Sequence, residues 1–206
     1  MAAPACDAID LSGDLQAARC ELQAAGQVLR VSYGEPAAGT TFGAVSIDVL
    51  GDDGQVVQTL VESEVSQYRA VAVMDIDGDG RADIQVPRET GNVNTTSGLW
   101  IFNGQDGRYD RIGEVSGVSI GRTADGYVAV PARSSAAAWN VAFYRLGEDG
   151  LAPLVSVEVV REEQAGTIRS TCRLADALGL SDLNLSEVEA EAKFCAEPIA
   201  ADVFGP

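Results

Sequence analysis

The sequence predicts a mainly β protein, either an antiparallel β-sandwich or a propeller-like meander, with short helices near the N- and C-termini. Apolar and polar residues alternate in short runs, as in Val45, Ile47 and Val49, which is the period of a half-buried strand. Glycine-rich turns separate these runs, and the 206 residues include 22 glycines but only 6% aromatic residues. Short strands at such even spacing are typical of antiparallel sheets.

The N-terminal segment differs from the rest of the chain. Its apolar residues recur at helical spacing, which predicts a short helix within residues 7–26: Leu11, Leu15, Ala18 and Leu22. We therefore expect a disulfide-tied segment over residues 1–26 and a single β domain over residues 27–206.

The first half of this domain is expected to contain strands around residues 29–33, 45–49 and 57–61. The last two are joined by the hairpin turn Gly51–Gly54. Two further apolar runs, 71–73 and 84–86, flank an acidic stretch, and Ala82, Ile84 and Val86 would face the core.

In the second half, residues 87–98 and 131–138 are predicted to be polar loops, with strands around 99–102, 127–130 and 139–143. Alternating runs then place strands around residues 155–159 and 168–174. Ser186 and Glu189 form the sequence signature of a capping box, which predicts a helix over residues 186–196 that Pro198 ends.

The four cysteines predict disulfides, because the chain has no histidine or Cys-x-x-Cys pair for a zinc site. The pairing Cys6–Cys20 and Cys172–Cys195 closes the shortest loops, although sequence alone leaves all three connectivities open. Disulfides indicate an oxidising compartment, and the stretch from Ala3 to Ala5 resembles a signal-peptidase site in a trimmed mature form. We expect a periplasmic protein; the alternatives are a secreted protein or an outer-membrane lipoprotein with Cys6 lipidated.

One acidic stretch carries the chemistry of a metal site. Asp75, Asp77, Asp79 and Asp83 occupy positions 1, 3, 5 and 9 of a loop, with a glycine at position 6 for a sharp turn. Arg81 at position 7 would offer its backbone carbonyl. A hard cation such as Ca²⁺ takes oxygen ligands at this spacing, so we predict a calcium-binding loop between two strands. The alternative is a solvated Asp-Gly turn that binds nothing.

The formal net charge of −17 favours solubility or attraction to a basic partner and argues against nucleic-acid binding. No apolar run approaches the about 18 residues of a membrane span. The lack of histidine removes Ser-His-Asp and Cys-His catalysis, and no phosphate-binding glycine loop is present. We therefore expect that the protein is not an enzyme, while a hydrolase with two paired carboxylates remains an alternative.

The calcium loop resembles those of FG-GAP and VCBS propeller proteins, but these repeat the loop in every blade, and here it occurs once. A longer resemblance covers roughly residues 44–160. It includes SIDVLGDDGQVVQTL, VMDIDGDGRADIQV, TSGLWIFNGQDGRYDRIGEV and YVAVPARSSAAAWNVAFYRLGEDGLAPLVSVEVV. In these motifs the chain is similar to bacterial periplasmic calcium-loop β proteins related in architecture to lysozyme inhibitors. That family includes Xanthomonas-type immunity proteins against peptidoglycan-cleaving effectors of a type IV secretion system.

The resemblance implies a calcium-binding inhibitor whose partner is a basic, lysozyme-like peptidoglycan hydrolase. Only the metal ligands transfer residue by residue, namely Asp75, Asp77, Asp79, Arg81 and Asp83. An inserted polar loop, 87–98 or 131–138, would contact the target. The alternative function is a calcium-stabilised cell-surface or adhesion module without an enzyme target. The sequence leaves the oligomeric state open.

Overall fold

Strands dominate the computed structural model, which describes residues 4–6, 19–34, 42–66, 69–164 and 167–204. The strands of these residues form three sheets whose assigned strand pairs are antiparallel, so the mainly β fold class is confirmed. By its internal contacts the chain divides into two compact units, Met1–Val115 and Ser116–Pro206. The domain limits 1–26 and 27–206 stay a prediction.

The first sheet is a meander in which each strand pairs with the next in the chain. Its strands are β1 (Arg19–Ala24), β2 (Gln27–Gly34), β3 (Gly43–Leu50) and β4 (Val56–Val65). The predicted turn after β3 is present, since the amide of Gly54 donates to the carbonyl of Gly51 over 2.8 Å.

The second sheet follows the same meander order. Its strands are β5 (Ala72–Met74), β6 (Asp83–Thr90), β7 (Thr95–Asn103) and β8 (Arg108–Gly117), the last of which crosses the unit boundary. The acidic stretch connects β5 to β6, which confirms its predicted position between two strands. Buried Leu29 and Ile47 of the first sheet share one core with Ile84 and Val86 of the second, as in a sandwich.

The second unit contains a five-stranded sheet in the order β13, β12, β11, β10, β9. The strands are β9 (Gly121–Arg122), β10 (Val128–Arg133), β11 (Ala138–Gly147), β12 (Gly150–Gln164) and β13 (Thr167–Asp176). A 3₁₀ helix (Leu180–Leu183) and helices α1 (Glu187–Cys195) and α2 (Pro198–Ala201) follow. Phe194 of α1 packs against Phe143 of β11, with ring centroids 4.7 Å apart, so helices cover one face of this sheet.

Helix α1 and both disulfides agree with the sequence predictions. Ser186 accepts the Glu189 amide and Glu189 accepts that of Ser186, which completes the capping box. Cys172–Cys195 joins β13 to α1, and Cys6–Cys20 is the second bridge. Among the described helices, none has the length and apolar character that crossing a bilayer requires.

Three predicted segments need correction. The prediction of a polar loop over residues 87–98 is wrong. Strand β6 extends to Thr90 and β7 begins at Thr95, so that only residues 91–94 connect them. Likewise, the loop 131–138 shrinks to residues 134–137 between β10 and β11. The helix predicted within 7–26 lies in part outside the described residues, and its end is wrong because residues 19–24 form β1. Cross-strand pairing outweighs local composition in all three.

Candidate metal centre

The connection from β5 to β6 is a tight acidic loop. It starts after Met74 and ends at Asp83, the first residue of β6. Gly78 and Gly80 adopt φ angles of 78° and 82°, a left-handed backbone region that favours glycine. These two glycines let the chain turn twice between Asp77 and Asp83.

Three of the predicted ligands converge in this loop. One carboxylate oxygen each of Asp75, Asp77 and Asp83 lies within 4.8 Å of the other two. Asp75 is exposed, Asp77 is half-buried and Asp83 is 0% exposed. A hard cation is bound by oxygens from such short, charged side chains, and the three residues fit Ca²⁺ in their donor chemistry.

Backbone amides hold these carboxylates in place. Asp75 accepts the amide of Gly78 at 2.6 Å and that of Gly80 at 3.1 Å. Asp83 accepts the amide of Ile76 at 2.7 Å through Oδ2 and that of Phe102 at 2.9 Å through Oδ1. Asp83 therefore ties the loop to strand β7 of the same sheet.

The electrostatics of the loop favour a cation. Burial raises the pKa of Asp83 to about 6, with a smaller contribution from the negative charge of Asp77, although backbone amides oppose the shift. Carboxylates that are crowded together and partly removed from water are costly to ionise unless a positive charge lies near them. A bound divalent cation would supply that charge.

Asp79 and Arg81 lie differently from the three converging residues. Asp79 is outside the group of three; its Oδ1 accepts the Arg81 amide at 2.7 Å, and its Oδ2 lies 3.9 Å from the Arg81 Nε. The Arg81 guanidinium lies over the Phe102 ring, 5.6 Å from its centroid, and occupies the space that a side chain at Gly104 would need. Metal ligation by Asp79 and by the Arg81 carbonyl stays a prediction.

Sequence reasoning missed a second buried carboxylate in the first unit, Glu62 of β4. Its side chain is 4% exposed and accepts bonds from Arg111 Nε at 2.8 Å and Trp100 Nε1 at 2.9 Å. Arg88 lies 3.6 Å away. The alternation of the strand could have indicated that Glu62 is buried. Glu62 lies on the same face of β4 as buried Leu60, whereas Val61 on the opposite face is 53% exposed. With two arginines bound to it, Glu62 is suited to holding strands together.

Comparisons with known proteins give one structural likeness. No family model and no curated protein matches the chain. Its fold is similar to a solved structure described as a Xanthomonas type IV secretion system related protein, with a TM-score of 0.46 and 11% sequence identity. The match covers 79% of this chain and 96% of the other. The family resemblance found in the sequence motifs stays a prediction at this level of similarity.

Proposed function

We propose that this chain is a periplasmic calcium-binding protein that inhibits a lysozyme-like peptidoglycan hydrolase and has no catalytic activity of its own. The observation that supports it most directly is the convergence of Asp75, Asp77 and Asp83 in the β5–β6 loop. This loop is also the part of the chain whose residues match the calcium loop of the immunity-protein family one by one.

Calcium would act as a structural ion. Asp75, Asp77 and Asp83 would hold it, and its charge would relieve the repulsion among them. Because Asp83 also accepts the amide of Phe102, the bound ion would fix the loop against β7 as well as against β6. The metal would thus stabilise the scaffold while other surfaces contact the target.

The expected partner is basic. A net charge of −17 attracts a positively charged enzyme over a distance and raises the rate of encounter. The two disulfides fit a protein that works in an oxidising compartment, such as the periplasm where peptidoglycan is cleaved. Inhibition would then result from occlusion of the substrate cleft by the bound protein.

The direct test is an inhibition assay against a panel of purified basic muramidases, run in millimolar Ca²⁺ and again in EDTA. We expect the wild-type chain to inhibit at least one enzyme in calcium and to inhibit it less in EDTA. Asp75→Asn should reproduce the effect of EDTA, whereas Asp52→Asn, which removes the same charge from the turn after β3, should not. Failure to inhibit any muramidase, together with failure to capture one on an affinity column, would overturn the inhibitor proposal.

Two further measurements, of binding to cell surfaces and of peptidoglycan cleavage, address the alternative functions. A calcium-stabilised adhesion module would bind cell-surface preparations without affecting any muramidase. A hydrolase with paired carboxylates would release soluble fragments from purified peptidoglycan. Either of these results would replace inhibition as the function while leaving the calcium site to be judged by metal binding alone.

A further inference from the structure

A groove of about 450 Å³ lies in the second unit, between the end of β13 and the start of α1. Asp176 and Leu174 line it from the strand side, and Glu187, Val188 and Glu191 line it from the helix. We call this feature the acidic groove. It lies outside the 44–160 stretch of family resemblance, and its residues belong to a different unit from those of the calcium loop.

Two carboxylates of the acidic groove are available to a ligand. Asp176 and Glu187 are exposed, and within the described part of the chain neither carboxylate has an ion-pair or hydrogen-bond partner. Glu191 differs, because its Oε2 accepts the amide of Leu174 at 2.9 Å and so fixes the groove wall. The groove therefore combines an anchored carboxylate with two unpaired ones.

Apolar side chains flank these charges. Val188 is 79% exposed and Leu178 is 74% exposed, the two highest values among the exposed large apolar side chains of the described residues. Val188 lines the acidic groove itself, whereas Leu178 follows closely after its strand wall and lines a neighbouring hollow of about 230 Å³ that shares Asp176. Apolar contacts beside unpaired carboxylates suit the aliphatic stem and charged end of a long basic side chain.

The walls of the groove are held rigidly. The Cys172–Cys195 disulfide links the strand that forms one wall to the helix that forms the other. The capping box fixes the first turn of α1, and Glu187 and Glu189 in that turn offset the positive end of the helix dipole. A preformed site loses less conformational freedom when it binds a partner.

We propose that the acidic groove is the surface that contacts the basic hydrolase, receiving a lysine or arginine side chain of that enzyme between Asp176 and Glu187. This inference rests on the proposed inhibitor function and names the surface that performs it. Charge complementarity selects the occupant: the groove is acidic, the protein carries −17 overall, and the expected partner is basic.

The test compares two double variants that remove the same charge from the second unit. Asp176→Asn with Glu187→Gln changes the groove, and Glu148→Gln with Asp149→Asn changes the exposed turn between β11 and β12. Titration calorimetry would measure the Kd of each for a basic muramidase that the wild-type chain inhibits, in calcium and at two salt concentrations. Thermal melts check that both variants are folded.

We expect the groove variant to raise Kd about tenfold or more, because it removes two contacts at the interface. The turn variant should change Kd by less than about threefold, since it alters only long-range attraction. An equal rise in Kd for both variants, or no rise for the groove variant, would overturn the proposal that the acidic groove is the contact surface. The inhibitor function would stay intact in either case. If the wild-type chain inhibits no muramidase, the proposed function fails and the groove inference fails with it.

Discussion

The side-chain amide of Gln58 pairs with the backbone of Tyr109 in the way that a neighbouring strand would. Gln58 Nε2 donates to the Tyr109 carbonyl at 2.7 Å, and Gln58 Oε1 accepts the Tyr109 amide at 2.8 Å. Gln58 lies on β4 of the first sheet and Tyr109 on β8 of the second. One side chain thus satisfies two backbone groups and connects the two sheets of the first unit.

We expect Gln58→Ala to lower the free energy of unfolding by about 1–3 kcal/mol, because it leaves two partly buried backbone groups without a partner. Urea unfolding would measure the loss. Gln23→Ala, on the exposed face of β1, is the matched control and should cost less than about 0.5 kcal/mol. Equal costs for the two variants would show that the Gln58 pair contributes nothing specific.

Sequence reasoning succeeded where the determinants are local. The capping box needs only Ser186 and Glu189, three residues apart, and the position of the acidic stretch between two strands follows from the apolar runs that flank it. Local patterns could not show that Asp83 is fully buried, since its partner, the Phe102 amide, lies 19 residues further along the chain.

Strands rich in polar residues were the main source of error in the predicted secondary structure. Residues 87–90 and 95–98 look like loop in composition, yet they belong to the paired strands β6 and β7. Ser97 in this hairpin is buried and accepts a bond from Gln85 at 3.0 Å. Gly98 is needed because the Glu62 carboxylate occupies the space beside it. The constraint on Gly98 cannot be seen without its tertiary contact with β4.

Gly98 and Glu62 should be energetically coupled. A methyl group at position 98 would overlap the Glu62 carboxylate, which Arg111 and Trp100 hold in place. We expect Gly98→Ala to destabilise the protein by about 2–4 kcal/mol, through displacement of a buried ion pair. Chemical denaturation of Gly98→Ala, Glu62→Ala and the double variant would measure the coupling. In the Glu62→Ala background the alanine should cost much less, and strictly additive costs would contradict the overlap.

Acid should stabilise the calcium-free protein through Asp83. Its pKa is raised from 3.8 to about 6 in the folded state, so the folded protein holds this proton more tightly than the unfolded chain does. The contribution of Asp83 protonation to the free energy of unfolding is therefore greatest below pH 3.8. It is lost as the pH rises through about 6, and the total loss is about 3 kcal/mol. The difference in stability between wild type and Asp83→Asn, measured in EDTA from pH 4 to pH 7, isolates this group. We expect the stability of the wild type minus that of Asp83→Asn to fall as the pH rises in EDTA, and a rise in this quantity would contradict the raised pKa.

Calcium should reverse this pH dependence, because the ion binds the ionised carboxylates. In saturating Ca²⁺ the stabilisation over EDTA is expected to grow from pH 5 to pH 7.5. Thermal melts in both solutions across this range would measure it. A gain from calcium that is the same at both ends of the range would mean that the ion does not bind at Asp83.

The three converging carboxylates should also dominate calcium affinity. If Ca²⁺ is present at a hundred times its Kd, it stabilises the folded state by about 2.7 kcal/mol, and a variant with hundredfold weaker binding loses nearly all of that gain. We expect such a loss for Asp75→Asn and Asp77→Asn, since each removes a charged oxygen from the group of three. Asp79→Asn should lose less, because its carboxylate lies outside the group of three and beside the Arg81 guanidinium, 3.9 Å from Nε. Calorimetric titration with Ca²⁺ would rank the variants, with Asp52→Asn as the control of equal charge. A ranking in which Asp79→Asn is the most damaging would place the ion elsewhere in the loop.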